Sequence, residues 1–185
     1  MKQRILAVDD EIHMLKLLER IITEKTPYLI TTTNSSLEAP GLLEQGGYDL
    51  VITDLKMPGL DGLDLLRLIK AKGRPEEVII ITAFGSLETA TEALSRGVFD
   101  YITKPFKKEQ IIFTVDRAMR WQNLKREAAR LNEIFAAEPF AQASRAFEQE
   151  YLRRLAERTG GDMPAMAARS GLAPERITAA LAEKN

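Results

Sequence analysis

The sequence predicts an α/β protein, a doubly wound five-stranded parallel sheet followed by a long helix and a small all-helical unit. Three observations carry this expectation. Short β-branched runs alternate with amphipathic stretches through the first two thirds of the 185 residues. The strand-like runs are apolar almost throughout, as strands covered on both faces must be. The last third shows helical periodicity only, punctuated by Pro139, Gly160-Gly161 and Gly171.

In chain order, Ile5 to Val8, Leu29 to Thr32, Leu50 to Thr53, Val78 to Thr82 and Tyr101 to Ile102 read as strands. Helical patterns lie between them near Met14 to Lys25, Leu37 to Gln45, Gly62 to Lys72 and Ser86 to Arg96, and a fifth begins near Lys108. Strict alternation demands crossover helices, so the sheet is parallel with helices on both faces. The fifth helix meets no breaker between Lys107 and Glu138. Along it Trp121, Leu124, Ala128, Leu131 and Phe135 recur at spacings of three and four. That spacing fits a coiled-coil seam, and equally a single amphipathic helix folded onto its own domain. After Pro139 come a helix from about Ala141 to Arg158, a break at Thr159-Gly160-Gly161-Asp162, a short helix to Ser170, and a last helix from about Pro174.

Composition narrows the function classes. A net charge of -1 excludes a wholly basic nucleic-acid binder, so any such surface is local. The absence of cysteine excludes disulfides, thiolate metal sites and cysteine nucleophiles. No apolar run approaches the roughly 20 residues that span a bilayer, and Met1-Lys2-Gln3-Arg4 leads straight into a strand-like run rather than a signal-peptide core. The expected location is the cytoplasm, with no membrane partner.

In a doubly wound sheet, functional residues gather at the carboxyl ends of the strands. Those ends read Asp9-Asp10 after the first strand, Asp54 after the third, Thr82 at the end of the fourth and Lys104-Pro105 after the fifth. Clustered carboxylates repel unless a hard cation is coordinated, and magnesium prefers carboxylate, carbonyl and water oxygens. Phosphoryl transfer needs a nucleophilic oxygen, a metal, a cation and a hydroxyl donor, and these side chains supply them.

The set Asp9-Asp10, Asp54 within Asp-Leu-Lys-Met-Pro-Gly-Leu-Asp-Gly, Thr82-Ala83 and Lys104-Pro105-Phe106 resembles the receiver domain of bacterial two-component response regulators. The resemblance runs from residue 3 to about 120 and implies the flavodoxin-like fold. It implies that a sensor histidine kinase phosphorylates Asp54. Mg2+ is then held by Asp9, Asp10, Asp54 and the backbone carbonyl of Lys56. Thr82 and Lys104 contact the phosphoryl oxygens, Tyr101 changes rotamer, and Lys104-Pro105 corresponds to a cis bond, with Pro105 as its structural element. His13, the one histidine, reads as a solvent-facing residue without a role. No enzymatic activity is expected beyond self-phosphorylation from a phosphodonor and autodephosphorylation, because nothing after Phe106 offers a nucleophile with a base or a metal-ligand cluster.

From Phe140 onward the segments Phe147-Glu-Gln-Glu-Tyr-Leu-Arg-Arg-Leu, Thr159-Gly-Gly-Asp and Met166-Ala-Ala-Arg-Ser-Gly-Leu, with Ile177 beyond them and Gly171 between the last two helices, resemble the Fis-type helix-turn-helix domain of nitrogen-regulator-like response regulators. The expected organisation is a receiver over 1–120, a linker helix over 121–138 and a Fis-like domain over 139–185. The central ATPase domain often found in that family has no room between them. In the family the last helix enters the DNA major groove, and here Arg169, Arg176 and Thr178 are the candidate contacts. This chain departs from the pattern, since seven basic side chains face six acidic ones between Pro139 and Asn185. Ala179, Ala180 and Ala182 cannot read base edges by hydrogen bonds. Two outputs remain open. One is a phosphorylation-controlled DNA-binding transcription regulator. The other is a degenerate helix-turn-helix that dimerises or binds a protein without binding DNA. A homodimer through the fourth and fifth elements and the linker helix is expected in either case.

Overall fold

The computed structural model describes residues 2–136 and 140–182. Pro139 with its helix break, Lys184, and the side chain of Phe135 at the end of the seam lie outside the described residues. The chain divides into two compact units, Met1–Lys125 and Arg126–Asn185. Among the described residues no helix is long and apolar enough to cross a membrane.

The first unit runs β1 (Arg4–Val8), α1 (Ile12–Lys25), β2 (Leu29–Thr33), α2 (Ala39–Gln45), β3 (Leu50–Thr53), α3 (Gly62–Ala71), β4 (Glu77–Thr82), α4 (Leu87–Ser95), β5 (Asp100–Thr103) and the start of α5 (Lys108–Ala136). All four pairings are parallel and the strand order is β2-β1-β3-β4-β5, the flavodoxin-like winding expected from the alternation. Strand side chains alternate between two cores, because a strand's residues point to opposite faces in turn. Ile5, Ala7, Leu50, Ile52, Ile79 and Ile81 pack against α1 and α5 residues such as Leu18, Ile22, Ile111 and Met119. Leu6, Val8, Val51, Val78 and Ile80 pack on the other face against Leu43, Leu65, Leu66 and Ile69. Each fully buried Leu or Ile contributes about 1.5–3 kcal/mol.

Most boundaries shift by one or two residues from the expectation, and two of the shifts have a clear local cause. Helix α2 begins at Ala39 rather than Leu37; Pro40 fits the first turn, where no N–H is needed, and Leu37 is left outside, exposed. Ser86 is not helical but caps α4: its hydroxyl accepts from Thr89 N–H while the Thr89 hydroxyl accepts from Ser86 N–H, a capping box. Along α5, Trp121 and Leu124 are 50% and 58% exposed, so the seam is not folded onto its own domain there. Gln122, on the opposite side, is buried and donates to the Pro75 carbonyl.

The second unit contains α6 (Phe140–Thr159), α7 (Met163–Ser170) and α8 (Pro174–Ala182). Leu152, Leu155, Met166 and Ile177 form its small core. Gly171 ends α7 at φ +71°, the left-handed cap that only glycine adopts without strain. The core is supplemented by a buried carboxylate, Glu150, which meets Arg130, Arg153 and Arg154 at 3.2, 2.9 and 2.7 Å. The hydrogen bond from Arg153, with further help from Arg154 and Arg130 against the opposing effect of burial, lowers its pKa to about 2. A depressed carboxylate stabilises the fold above its unfolded pKa and loses that contribution as pH falls through the folded one. The unit is therefore expected to lose about 2 kcal/mol, screening by solvent included, between about pH 4.5 and pH 2. Thermal melts of the wild type and Glu150→Gln across that window check this, because the variant should lack this share of the pH dependence.

Candidate functional site

The strand order reverses direction at β1, from which the chain passes to β2 on one side and to β3 on the other. Such a switch point leaves a crevice at the carboxyl ends of the two central strands. Pairing of Val8 with Thr53 puts the next residues, Asp9 and Asp54, side by side at its mouth, and the Asp54 N–H donates to the Val8 carbonyl at 3.0 Å. Thr82 pairs with Thr103, so Lys104 follows on the same rim, its N–H donating to the Thr82 carbonyl at 2.7 Å.

One ammonium group organises the crevice. Lys104 Nζ lies 3.1 Å from Asp9 Oδ2, 3.3 Å from Asp54 Oδ1 and 3.3 Å from Glu11 Oε1. Asp9 and Asp54 are buried, at 2% and 5% exposure, so two desolvated carboxylates share one cation. The remaining carboxylate oxygens are held by backbone: Glu11 N–H donates to Asp9 Oδ1 and Lys56 N–H to Asp54 Oδ2, each at 2.8 Å. Burial raises the pKa of Asp9 despite the opposing Glu11 N–H and Lys104, with the Asp54 charge adding to the rise. Burial alone would lower that of Lys104, but the hydrogen bond and charge of Asp9 and the charge of Asp54 outweigh it, and its pKa is raised. Lys104 thus stays charged.

The structure brings Asp9, Asp54 and Lys104 together, with Thr82 fully buried, its carbonyl accepting from Lys104 N–H and its hydroxyl accepting from Phe84 N–H at 3.0 Å. Asp10 is exposed, and among the described residues no three acidic or histidine side chains are gathered closely enough to hold a metal ion on their own. Lys56 and His13 are exposed, and Lys104-Pro105 is cis. Tyr101 is half-buried, its hydroxyl 3.0 Å from the Thr89 hydroxyl of the α4 capping box. In the second unit, Arg176 is 2.8 Å from Glu148, the Thr178 hydroxyl donates to the Pro174 carbonyl within its own helix, and Arg169 is exposed.

Three participants were not anticipated. Glu11 extends Asp9-Asp10 into a triplet of acids, a pattern visible in the sequence, and it reaches Lys104. Thr89 anchors Tyr101, for which the sequence held no signal. Gly62 stands in the Asp-Gly pair that opens α3; a Cβ there would lie 2.4 Å from the Asp54 carbonyl oxygen.

The donor set suits a hard divalent cation. Its side-chain ligands are oxygens, and two buried carboxylates against one ammonium leave negative charge uncompensated, which is costly in a desolvated crevice. For Asp9 burial outweighs the Glu11 N–H and Lys104 and holds its carboxyl above the usual carboxylate range. A carboxylate whose folded pKa is raised adds stability only below its unfolded pKa, and the contribution is lost as pH rises through the folded value. At neutral pH ionised Asp9 therefore destabilises. In magnesium-free buffer Asp9→Asn is expected to stabilise the first unit by about 1 kcal/mol, a rise of about 3 °C in Tm. Lys104 would not be orphaned, since Asp54 and Glu11 remain. A lowered Tm in differential scanning calorimetry would contradict this.

Comparison with known proteins gives a consistent result. Residues 5–116 match the family described as response regulator receiver domain. The response regulator protein PilR of Pseudomonas aeruginosa is 37% identical over 146 residues, 78% of this chain and 32% of that protein. The DNA-binding transcriptional regulator NtrC of Klebsiella pneumoniae is 38% identical over 112 residues, 60% of this chain and 24% of that protein. The crystal structure of a response regulator receiver domain protein from Clostridium thermocellum superposes with a TM-score of 0.62 at 32% identity, covering 66% of this chain and 98% of that one. The chain spans less than a third of the length of these two curated relatives.

Proposed function

Since this chain belongs to the response regulator receiver domain family, we propose that Asp54 accepts a phosphoryl group from a sensor histidine kinase and that the event controls the helical unit that follows. The observation that carries the proposal is the single ammonium of Lys104 between two buried carboxylates, 3.1 Å from Asp9 and 3.3 Å from Asp54. An Asp54 oxygen forms the new P–O bond as the P–N bond to the kinase imidazole breaks, and the electron pair leaves with the imidazole. Lys56 N–H fixes the rotation of the attacking carboxylate. Lys104 offsets charge on the phosphoryl oxygens, and the Thr82 hydroxyl donates to one of them once it leaves the Phe84 N–H. Asp9, Asp10, Asp54 and the Lys56 carbonyl would hold Mg2+, which supplies charge neutralisation at the phosphoryl group when bound. The chain's activity is limited to taking and losing that group, and it works in the cytoplasm.

Once Thr82 moves, Tyr101 gains room to turn inward, which breaks its bond to Thr89 and frees the first turn of α4. The changed surface of α4, β5 and α5, continued by exposed Trp121 and Leu124, pairs two copies of the chain. For the output, the named activity of NtrC supports DNA binding. The ion pairing of Arg130, Arg153, Arg154 and Arg176 to acids of the same unit favours the second reading, a dimerisation or protein-interaction module.

Incubation with acetyl phosphate and magnesium tests the first step, with an alkali-labile mass gain of one phosphoryl group on a peptide containing Asp54 as the expected result. For the output, fluorescence anisotropy with mixed-sequence DNA at increasing salt separates the two readings. Among the described residues of the helical bundle, Arg145, Arg158 and Arg169 are the basic side chains outside these ion pairs, which predicts a log–log slope of about -3 per chain, and no binding even at low salt selects the interaction module.

A further inference from the structure

We propose that Ser36 is a positioning residue for phosphorylation: its hydroxyl clamps the loop between β3 and α3 and so holds the Lys56 backbone where the metal needs it. The inference rests on reading Asp54 as the acceptor, and concerns the loop that acceptor stands on. That loop is fixed at its ends by Lys56 N–H on Asp54 Oδ2, by Gly62 N–H on the Leu55 carbonyl at 3.0 Å, and by Asp61, which caps α3 through Asp64 N–H. Its middle reverses direction at Gly59, φ +88°. There Ser36, from the turn after β2, donates to the Pro58 carbonyl at 2.6 Å and accepts from Leu60 N–H at 2.9 Å.

One oxygen therefore satisfies both backbone groups flanking Gly59, which a hydroxyl can do because it is donor and acceptor at once. Ser36 is 3% exposed, so water cannot readily replace it, and without it a carbonyl and an N–H lose their partner. The clamp is itself held: the Thr33 hydroxyl donates to Glu38 at 2.8 Å and accepts from Ser35 N–H at 3.2 Å, which sets the turn that presents Ser36. The reversal lies flat on this support, since a Cβ at Gly59 would stand 3.0 Å from both Leu37 and Ser36 Oγ. Lys56 is two residues before Pro58. Freedom at Pro58 becomes freedom in the Lys56 backbone, whose N–H orients the acceptor and whose carbonyl would be a metal ligand in the reading above.

The test compares the full chain with Ser36→Ala by three measurements: exchange of the Leu60 amide in metal-free protein, calorimetric titration with magnesium chloride alone, and acetyl-phosphate labelling against magnesium concentration. Expected are about tenfold faster Leu60 exchange, about fivefold weaker magnesium binding, and a labelling rate at saturating magnesium within about twofold of wild type. A merely structural role would lower Tm and leave the magnesium titration unchanged, and that result overturns the proposal. Unchanged Leu60 exchange overturns it too. Wild-type protein that binds magnesium yet takes no label would refute the reading of Asp54, while the titration still decides the role of Ser36.

Discussion

Asp54→Asn should reduce labelling by acetyl phosphate in the presence of magnesium by roughly a hundredfold or more, because an amide oxygen is a far poorer nucleophile than a carboxylate. The fold should survive. Asn has nearly the same shape, its oxygen can still accept from Lys56 N–H, and Lys104 keeps Asp9 and Glu11 as partners. The check is intact-protein mass spectrometry beside a thermal melt of the same sample. Undiminished labelling with a native melt would move the acceptor to another residue, whereas loss of both would show only that the protein had unfolded.

Gly62→Ala should disable the site without touching a charged group. The added Cβ would lie 2.4 Å from the Asp54 carbonyl oxygen and 3.1 Å from Leu55 Cα, and both obstacles are backbone atoms that cannot rotate away. Either α3 retreats or Asp54 moves. The expected cost is about 2–4 kcal/mol in urea unfolding. A displacement near 1 Å at the acceptor would slow labelling by up to about a hundredfold. Gly41→Ala is the contrast: it lies within α2 with nothing inside 4 Å of a new Cβ, and should be neutral or stabilising by up to about 1 kcal/mol. Equal behaviour of the two variants would show that glycine content, rather than the close approach at position 62, governs the result.

The five strands and their order of succession were legible because burial on both faces imposes apolar runs such as Val51-Ile52 and Val78-Ile81, which local chemistry displays directly. Asp9, Asp54, Thr82 and Lys104 were legible because each follows or ends a strand, and the winding rule brings strand ends to one rim. The helical unit was readable as helices from Gly171 and the apolar spacing around Leu152 and Leu155, but its output was not, since groove recognition depends on charges that distant residues can neutralise. Arg176 illustrates this: its pairing with Glu148, 28 positions earlier, has no trace in either local sequence.

By itself, then, the sequence determined which side chains stand at the carboxyl ends of the strands, because strand periodicity and connection handedness are local properties of the chain. Only the tertiary structure decided how those groups share their contacts. It put one ammonium between two buried carboxylates, left Asp10 exposed, tied Tyr101 to the cap of α4, and laid the acceptor loop on Ser36. The physical reason is that hydrogen bonds and ion pairs between residues 12 to 95 positions apart depend on ångström-scale approach of packed elements, and no short-range pattern in the sequence encodes that approach.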